Sequence, residues 1–537
     1  MAMAKNSSKG ILLFLVSIGI FLAFSLYRIE LPGLYEAESY NLMPAVDILY
    51  NKDIVKDCYS MTMAGQRFPL MITPFNGALD SYILLPVTRV FGFTVNTIRI
   101  TQVALAVIGM IFTYILCKRV FNEKIALVST FLLSINPSFI AFNRQGLLVG
   151  SADFALIALS LFAMLAWRLN KKIAYFYLGF FVAGVSIFNN ASSLWCLFAL
   201  FFAYLIIYKD MARGLFKDKE LDTDKIVKAA CFIFFGAFPF LLYNMHDGET
   251  LKNLFASLGS YTKEYGPLWY FRALGNSIKI LIGVLSASWR PATWEYARGI
   301  ANYLYPLASL SALVATPFLI LRRQDNALLK KTAFITLVIT LILMQSAFAL
   351  KDLNGYSLYR VYPFVQILIA IFILEAFNFF KKSGFMFIAA FLMMIVFVFM
   401  EIFTVAAYHM ELSRTGGKGY FSGQIYDLNE FLKKTPYYNA VAMDWGFRYN
   451  LLVLSKGEID AQDFFLLDSA GKGFYDRSES LLRDKNNVYL THPPQADATR
   501  IWGYFKEHAL SRGFKLERMD SFCKGDAKED IIIYKIH

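Results

Sequence analysis

Residues 98–142 read IRITQVALAVIGMIFTYILC, then KRVFNEK, then IALVSTFLLSINPSFIAF. Two apolar runs flank a short basic segment. A helix crossing a bilayer takes about 20 mostly apolar residues, so the stretch reads as a membrane hairpin. Similar runs recur at 10–27, 152–167, 173–189, 193–208, 229–244, 302–321, 332–350, 358–378 and 384–408, making eleven expected spans. Composition points the same way. Hydrophobic residues make up 57 % of the chain, charged residues 17 %, and phenylalanine alone contributes 52. Soluble domains carry about 25 % charged residues, so one large soluble enzyme, a disordered chain and a low-complexity fibre are all excluded.

The basic segment KRVFNEK also orients the chain, because short loops rich in Lys and Arg stay cytoplasmic. With the N-terminus inside, marked by Lys5 and Lys9, the inner segments become 1–9, 117–124, 168–172, 209–228, 322–331 and 381–382. Together they hold 20 Lys and Arg against 7 Asp and Glu, which is the entire net charge of +13. The charge is therefore a topology signal against an anionic leaflet, and a nucleic-acid partner drops out. Counting 78–93 (ALDSYILLPVTRVFGF) as a span would put KRVFNEK outside. Asp80, Pro86 and Arg89 also make it a poor span, so it reads as an interfacial helix. The stretch 276–289 reads as interfacial or re-entrant. The first apolar run lacks a small-residue cleavage site and is read as an uncleaved anchor.

The expected fold is thus a polytopic α-helical membrane domain over 1–409, N-terminus in and C-terminus out, with outer loops at 28–97 and 245–301. A soluble α/β domain follows over 410–537. There NAVAMDWG, DFFLLD, NNVYLTH and DIIIYKIH read as strands, and YDLNEFLKK and TRIWGYFKEHALSRG as amphipathic helices. TGGKGYFSG, between the two parts, follows no strand and matches no phosphate loop, so it reads as a flexible linker. The five cysteines and five histidines show no metal-ligand spacing, which argues against zinc or iron–sulfur. Cys58 and Cys523 either share a disulfide in an oxidising compartment or remain free thiols.

The chemistry-bearing residues gather on the outer face. The first loop opens with LPGLYEAESYNLMPAVDILY, placing Glu36 and Glu38 where the first span leaves the membrane. They read either as ordinary headgroup-level acids or as a base whose pKa rises beside Tyr35, Tyr40 and Leu42. Arg144 and Arg360 stand at outer span ends, as phosphate forks or as snorkelling side chains. Arg99, Lys279 and Arg290 are weaker cations on the same face. Asp153 and Asp80 either orient an acceptor, with Tyr40, or simply sit in first helical turns favoured by the dipole. Glu375 and Glu401 lie in apolar runs near span ends, where acids are functional or face water. In the tail, DWGFRYN (Asp444, Trp445, Arg448) reads as a turn after a buried strand or as a sugar-stacking site.

The order of cytoplasmic N-terminus, first span and outer loop carrying GLY-x-x-E-x-Y-N resembles the GT-C glycosyltransferases. The group it looks closest to is glycosyltransferase family 39 with its bacterial relatives, the protein O-mannosyltransferases and lipid A aminoarabinose transferases. The resemblance extends through FNGALDSYILLPVTRVFG, the 97–144 block and SLYRVYPFVQILIAI, covering about residues 10–400. It implies inverting sugar transfer from a polyprenyl-phosphate donor to a hydroxyl of a lipid, glycan or protein, at the extracytoplasmic face of a bacterial inner membrane. Phosphate is already a good leaving group, so one carboxylate base and cations for the phosphate suffice. No cofactor is required, and a divalent cation stays open. The family's first-loop acidic pair maps its second acid onto Glu38, the implied base, and its first onto Ala37, leaving the role of Glu36 open. An Arg-Tyr-x-x-Pro-like segment maps onto Arg360–Pro363 and implies that Arg360, with Arg144, holds the donor phosphate. The competing expectation is a transporter or flippase for a lipid-linked sugar without covalent chemistry; a non-catalytic scaffold is a third, given Ala37.

Overall fold

The structure is a computed structural model. It describes residues 2–537 except 53–58, 64, 147–149, 218–220, 247, 289–300, 353–354, 437, 466–471, 495–496, 498 and 524–529. Helix α1 (Ala2–Leu26) leads into a bundle through a first connection that is far from an open loop. That connection folds into α2 (Glu36–Tyr50), an antiparallel hairpin of β1 (Tyr59–Met63) and β2 (Gln66–Met71), and α3 (Leu79–Phe91). The interfacial helix expected at 78–93 is α3. Its Ser81 hydroxyl donates to the Asn41 carbonyl at 2.7 Å, tying it beneath α2.

The opening hairpin of the sequence is α4 (Val95–Val120) and α5 (Glu123–Ile135), continued at a 65° bend by α6 (Pro137–Gln145). Local chemistry sets these ends. The Thr94 hydroxyl caps α4 by accepting from the Thr97 N–H, and Asn122 and Asn136 cap α5 and α6. Pro137 occupies the first turn of α6, where a missing N–H costs nothing. Next come α7 (Gly150–Asn170), α8 (Ile173–Asn189), α9 (Ser193–Ile207), α10 (Lys209–Lys217), α11 (Thr223–Gly236) and α12 (Phe238–His246). The segment expected as the outer loop 245–301 is largely helical, as α13 (Glu249–Tyr265) and α14 (Trp269–Leu285). The bundle is completed by α15 (Leu304–Arg323), α16 (Asn326–Ser346), the short α17 (Gly355–Leu358), α18 (Phe364–Phe380) and α19 (Gly384–Thr415).

Among the described residues, seven helices are long and apolar enough to cross a membrane, or up to eleven when each of four bent pairs counts as one span. The identities differ from the sequence expectation at two places. Helix α8, at 17 residues, falls among the shorter apolar helices, while Glu249–Leu285 qualifies by length and composition. The α13–α14 segment is anchored where α16 ends: the Tyr270 hydroxyl donates to the Met344 carbonyl, and Trp269 packs on Phe348. Glu375 pairs with Arg323 at 2.7 Å, and Glu401 accepts from Asn136 and Asn302 inside the bundle, so neither faces open water.

The tail contains α20 (Gln424–Lys434), β3 (Asn439–Ala442), α21 (Arg448–Leu454), β4 (Gln462–Asp463), α22 (Lys472–Arg483), β5 (Asn487–Thr491), α23 (Ile501–Ser511), β6 (Leu516–Phe522) and β7 (Ile531–Ile536). The five-stranded sheet runs β4-β3-β5-β7-β6, with β4, β3 and β5 parallel and the last two strands antiparallel. Three expected strands are present. DFFLLD shares only Asp463 with the two-residue β4 and its last three residues lie outside the described residues, and LERMDSF forms a strand that its charges concealed from periodicity. The linker TGGKGYFSG is an ordered strap. Gly33 donates its N–H to the Phe421 carbonyl at 2.8 Å, and Phe421, fully buried, stacks on Tyr35. Cys58 lies outside the described residues, and with it the expected pairing to Cys523.

Close packing of α8 on α11 depends on glycine. A Cβ at Gly184 would fall 2.2 Å from the Ile233 carbonyl oxygen, a backbone atom that cannot swing aside. Small residues let membrane helices approach in this way. Gly184→Leu is therefore expected to destabilise the bundle by about 1–3 kcal/mol through overpacking, read as a lower thermal midpoint in detergent.

Candidate functional site

Helix α2 presents its two glutamates to opposite sides, since residues two apart on a helix point about 200° away from each other. Glu38 faces α4. Arg99, in the first turns of α4 and fully buried, forks onto it: Nε donates to Oε1 and Nη2 to Oε2, both at 2.9 Å. The remaining donors of Arg99 reach the carbonyls of Ile29 and Pro32 at 2.8 Å and of Gly33 at 3.3 Å. Both oxygens of Glu38 are thus engaged, and the residue is only 2 % exposed. This is a clamp on the first connection. Arg99, a weak phosphate candidate from sequence, is its cation.

Glu36 faces the tail. It is buried at the C-terminal end of the parallel strands, near Asp444, Asp463 and Arg448, and one oxygen accepts from the Gly446 N–H. Burial, reinforced by Asp463 and Asp444, pushes its carboxyl up from 4.5 to about 8. Tyr40 lies on the same side of α2, edge-on to Tyr449 of the tail, and Ser39 donates to Asn450 at 2.5 Å. Asp444 accepts from its own neighbour's backbone N–H and pairs with His492 at 2.9 Å. Trp445 packs edge-on against Tyr35, and Arg448 is held by Asp460 and Asp463. These tail residues dock the domain.

Arg144 departs from the phosphate role expected for it. It is fully buried and donates to the carbonyls of Tyr27 and Arg28, both at 2.8 Å, and of Leu31 at 3.1 Å, with His409 at 3.1 Å beside it. A guanidinium whose Nη2 is held by three backbone carbonyls at the end of the first span is an anchor. Lys279 stands on α14, and Arg290 lies outside the described residues.

Arg360 and Asp153 do come together, at 2.8 Å, both nearly inaccessible. The second oxygen of Asp153 accepts from Ser186 at 2.7 Å and from Ser193. Tyr359 donates to Asn143 at 2.9 Å alongside. This pair closes one end of a cavity of about 210 Å³ between α4, α7, α9, α16 and the start of α18. The walls are apolar, including Leu161, Leu165, Leu200 and Ile367, and Lys331 stands at the opposite end. Along α7 from Asp153 to Leu165 the cavity extends about 18 Å at the helical rise. On the side of Asp153 towards α3 lies Asp80, 2 % exposed, accepting from Gln102 at 3.3 Å. Burial, with the like charge of Asp153, lifts its carboxyl from 3.8 to about 7. Sequence reading missed Gln102, Ser186 and Ser193; polar side chains inside apolar runs were the available signal. Among the described residues, no group of three His, Cys, Asp or Glu side chains is arranged to hold a metal ion.

A helical membrane region whose first connection refolds into an acid-bearing helix, with a small α/β domain closing on it, has the fold of the GT-C membrane glycosyltransferases. Residues 78–243 match the dolichyl-phosphate-mannose-protein mannosyltransferase family. Among solved structures, ArnT from Cupriavidus metallidurans in the apo state is similar with a TM-score of 0.58 at 11 % identity, covering 99 % of this chain and 98 % of that one. ArnT bound to undecaprenyl phosphate gives 0.55 at 12 % identity, over 97 % of each chain. The oligosaccharyltransferase of Archaeoglobus fulgidus in its apo form gives 0.51 at 12 % identity, over 95 % of this chain and 69 % of that one. No curated protein sequence matches significantly.

Two outcomes follow from this geometry. Glu38→Gln strands the buried Arg99 charge and is expected to destabilise the protein by about 3–5 kcal/mol, measured by thermal unfolding in detergent. Glu36 holds its proton more tightly folded than unfolded, so its contribution to stability is full below pH 4.5 and is lost as pH rises through about 8. Glu36→Gln is expected to flatten that loss, seen as a thermal midpoint that changes less between pH 5 and pH 8.5.

Proposed function

We propose that this chain transfers a sugar, with inversion, from a polyprenyl-phosphate donor to a hydroxyl of a lipid, glycan or protein at the extracytoplasmic face. The observation that carries the reading is the cavity of about 210 Å³ that is apolar along its length and ends at Arg360 and Asp153. An isoprenoid tail needs such walls, and a phosphate at their end needs a cation. Arg360 is suited to that role: among the described residues its Nε has no partner and its remaining nitrogens bond only Asp153 and the Ser357 carbonyl. The undecaprenyl phosphate bound by ArnT supports a lipid-linked donor of this class, and the family matched by residues 78–243 supports sugar transfer.

The basic segments support this sidedness. The cluster KRVFNEK and the RRQDNALLKK segment lie at the bundle end opposite the tail, and the positive-inside rule assigns such segments to the cytoplasm and the tail to the outer face. The membrane is read as a bacterial inner membrane. As phosphate leaves, its charge grows on the oxygen beside Arg360, and the guanidinium stabilises it without a proton donor. Glu38 serves by holding the first connection in place through Arg99, which shifts it from the base expected by resemblance to a positioning residue.

Mass spectrometry of lipids, glycans and proteins from cells with and without the gene is the direct test. A sugar modification that vanishes with the gene, and a purified protein that consumes an undecaprenyl-phosphate sugar, are expected. A protein that moves the lipid-linked sugar across liposomes and never cleaves it would establish the flippase reading instead. Arg360→Ala is expected to weaken undecaprenyl phosphate binding about 10- to 100-fold, the loss of one to two charge-assisted hydrogen bonds, measured by native mass spectrometry or thermal shift.

A further inference from the structure

Sugar transfer needs a carboxylate with a free oxygen close to the donor phosphate, and the start of α2, where the first-loop glutamates stand, does not offer one there. Ala37 carries no acid at the position where the family's first acidic residue maps. Glu38 has both oxygens on Arg99. Glu36 has an unpartnered oxygen, but it lies on the opposite side of α2, against Asp444 and Asp463 of the tail.

Under α2 a different group meets the requirement. Among the described residues, Asp80, in the first turn of α3, keeps Oδ1 without a partner while its other oxygen accepts from Gln102. Gln102 Oε1, both polar side-chain atoms of Gln145 and Arg360 Nε are likewise buried and unpartnered. Gly146, the residue after Gln145, packs directly on Gln102: an added Cβ there would sit 2.4 Å from Gln102 Cγ. Asp80 and Asp153 are close enough for their charges to act on each other, and Asp153 holds Arg360. Several buried polar atoms lacking partners in one place are costly unless something binds them. Planar amides and carboxylates are the groups that hydrogen-bond sugar and alcohol hydroxyls.

We propose that Asp80 is the general base of the transfer, and that the acceptor hydroxyl meets the donor sugar at this cluster of buried polar groups, steadied by Gln102 and Gln145. The inference rests on the glycosyl-transfer reading above. The acceptor oxygen forms a bond to the anomeric carbon as its proton passes to Asp80 Oδ1. The bond from that carbon to the phosphate oxygen breaks, and the polyprenyl phosphate leaves with the electron pair beside Arg360. No other reactant is needed.

The surroundings of Asp80 predict its pH behaviour. From α7 the charged group acting on it is Asp153, itself paired with Arg360, and from α4 it meets neutral Gln102. Of the α2 acids, Glu38 is neutralised by Arg99, Glu36 faces the tail and Asp47 lies towards the far end of the helix. Helix α8 carries no charged residue. A base must be ionised to act, so the rate is expected to rise with pH through about 7 and level above it.

The test uses the full-length protein in detergent with a panel of undecaprenyl-phosphate-linked hexoses and pentoses, and undecaprenyl phosphate as the binding probe. Asp80→Asn keeps the bond to Gln102 and is expected to fold, to bind undecaprenyl phosphate as wild type does, and to transfer sugar about 100-fold or more slowly. Asp80→Glu should recover part of the rate, and the ionisation near pH 7 should disappear from the Asn variant's profile. The wild-type profile stands independently if the variant misfolds: a wild-type rate with no ionisation between pH 6 and 8 overturns the assignment. So does an Asp80→Asn variant within threefold of wild type, or a folded Glu36→Gln that binds the probe and stalls while Asp80→Asn does not. A wild type inert towards every donor would overturn the glycosyl-transfer reading and this inference with it.

Discussion

The fork of Arg99 is the interaction on which the rest of the molecule depends. A guanidinium carries five N–H donors and no acceptor, and here they are spent on one carboxylate and three carbonyls of the first connection. Taking both charges out of water is expensive, and the expense is offset only because geometry is bidentate and the leftover donors are satisfied. The result binds the segment Ile29–Glu38 to the first turns of α4. Residue Gly33 within that segment then receives the strap that leads into the tail. One buried pair thereby registers three bodies: the bundle, the amphipathic helix α2 and the α/β domain.

Arg144 repeats the device one helix further on. Its donors reach the carbonyls of Tyr27, Arg28 and Leu31, so the chain leaving α1 is held from two sides by buried arginines. Backbone carbonyls at the end of a helix have no intrahelical partner. Arginine supplies the missing donors. The chain thus spends two of its buried arginines on the first connection, while Arg360 pairs with Asp153.

Much of this was legible in the sequence. Apolar runs, the basic clusters and the alternation of α and β segments in the tail report on solvent, and solvent acts residue by residue; the membrane domain, the interfacial α3 and the α/β tail follow from them. The likeness to GT-C proteins rested on the same outer-loop and span motifs. The strand LERMDSF was not legible, because it is partly exposed and is set by pairing with β7 rather than by a solvent-facing period. The glycine-rich strap was read as flexible since positive-φ glycines suit a loose linker and a tight wrap equally well; Gly417 and Gly419 serve the wrap.

The assignment of roles to the acids and arginines is where sequence stopped. Glu36 and Glu38 look alike in the chain and differ only in which neighbour each meets across α2. Arg99, Arg144 and Arg360 all stand at apparent span ends, and nothing local tells a clamp from a phosphate site. The sequence by itself determined most of the long apolar segments, which connections carry the positive charge, and the α and β character of the tail. Only the tertiary structure decided which charged groups are already paired, because pairing in a low-dielectric interior depends on ångström-scale contact between residues far apart in the chain, such as Arg99 with Glu38 and Arg360 with Asp153.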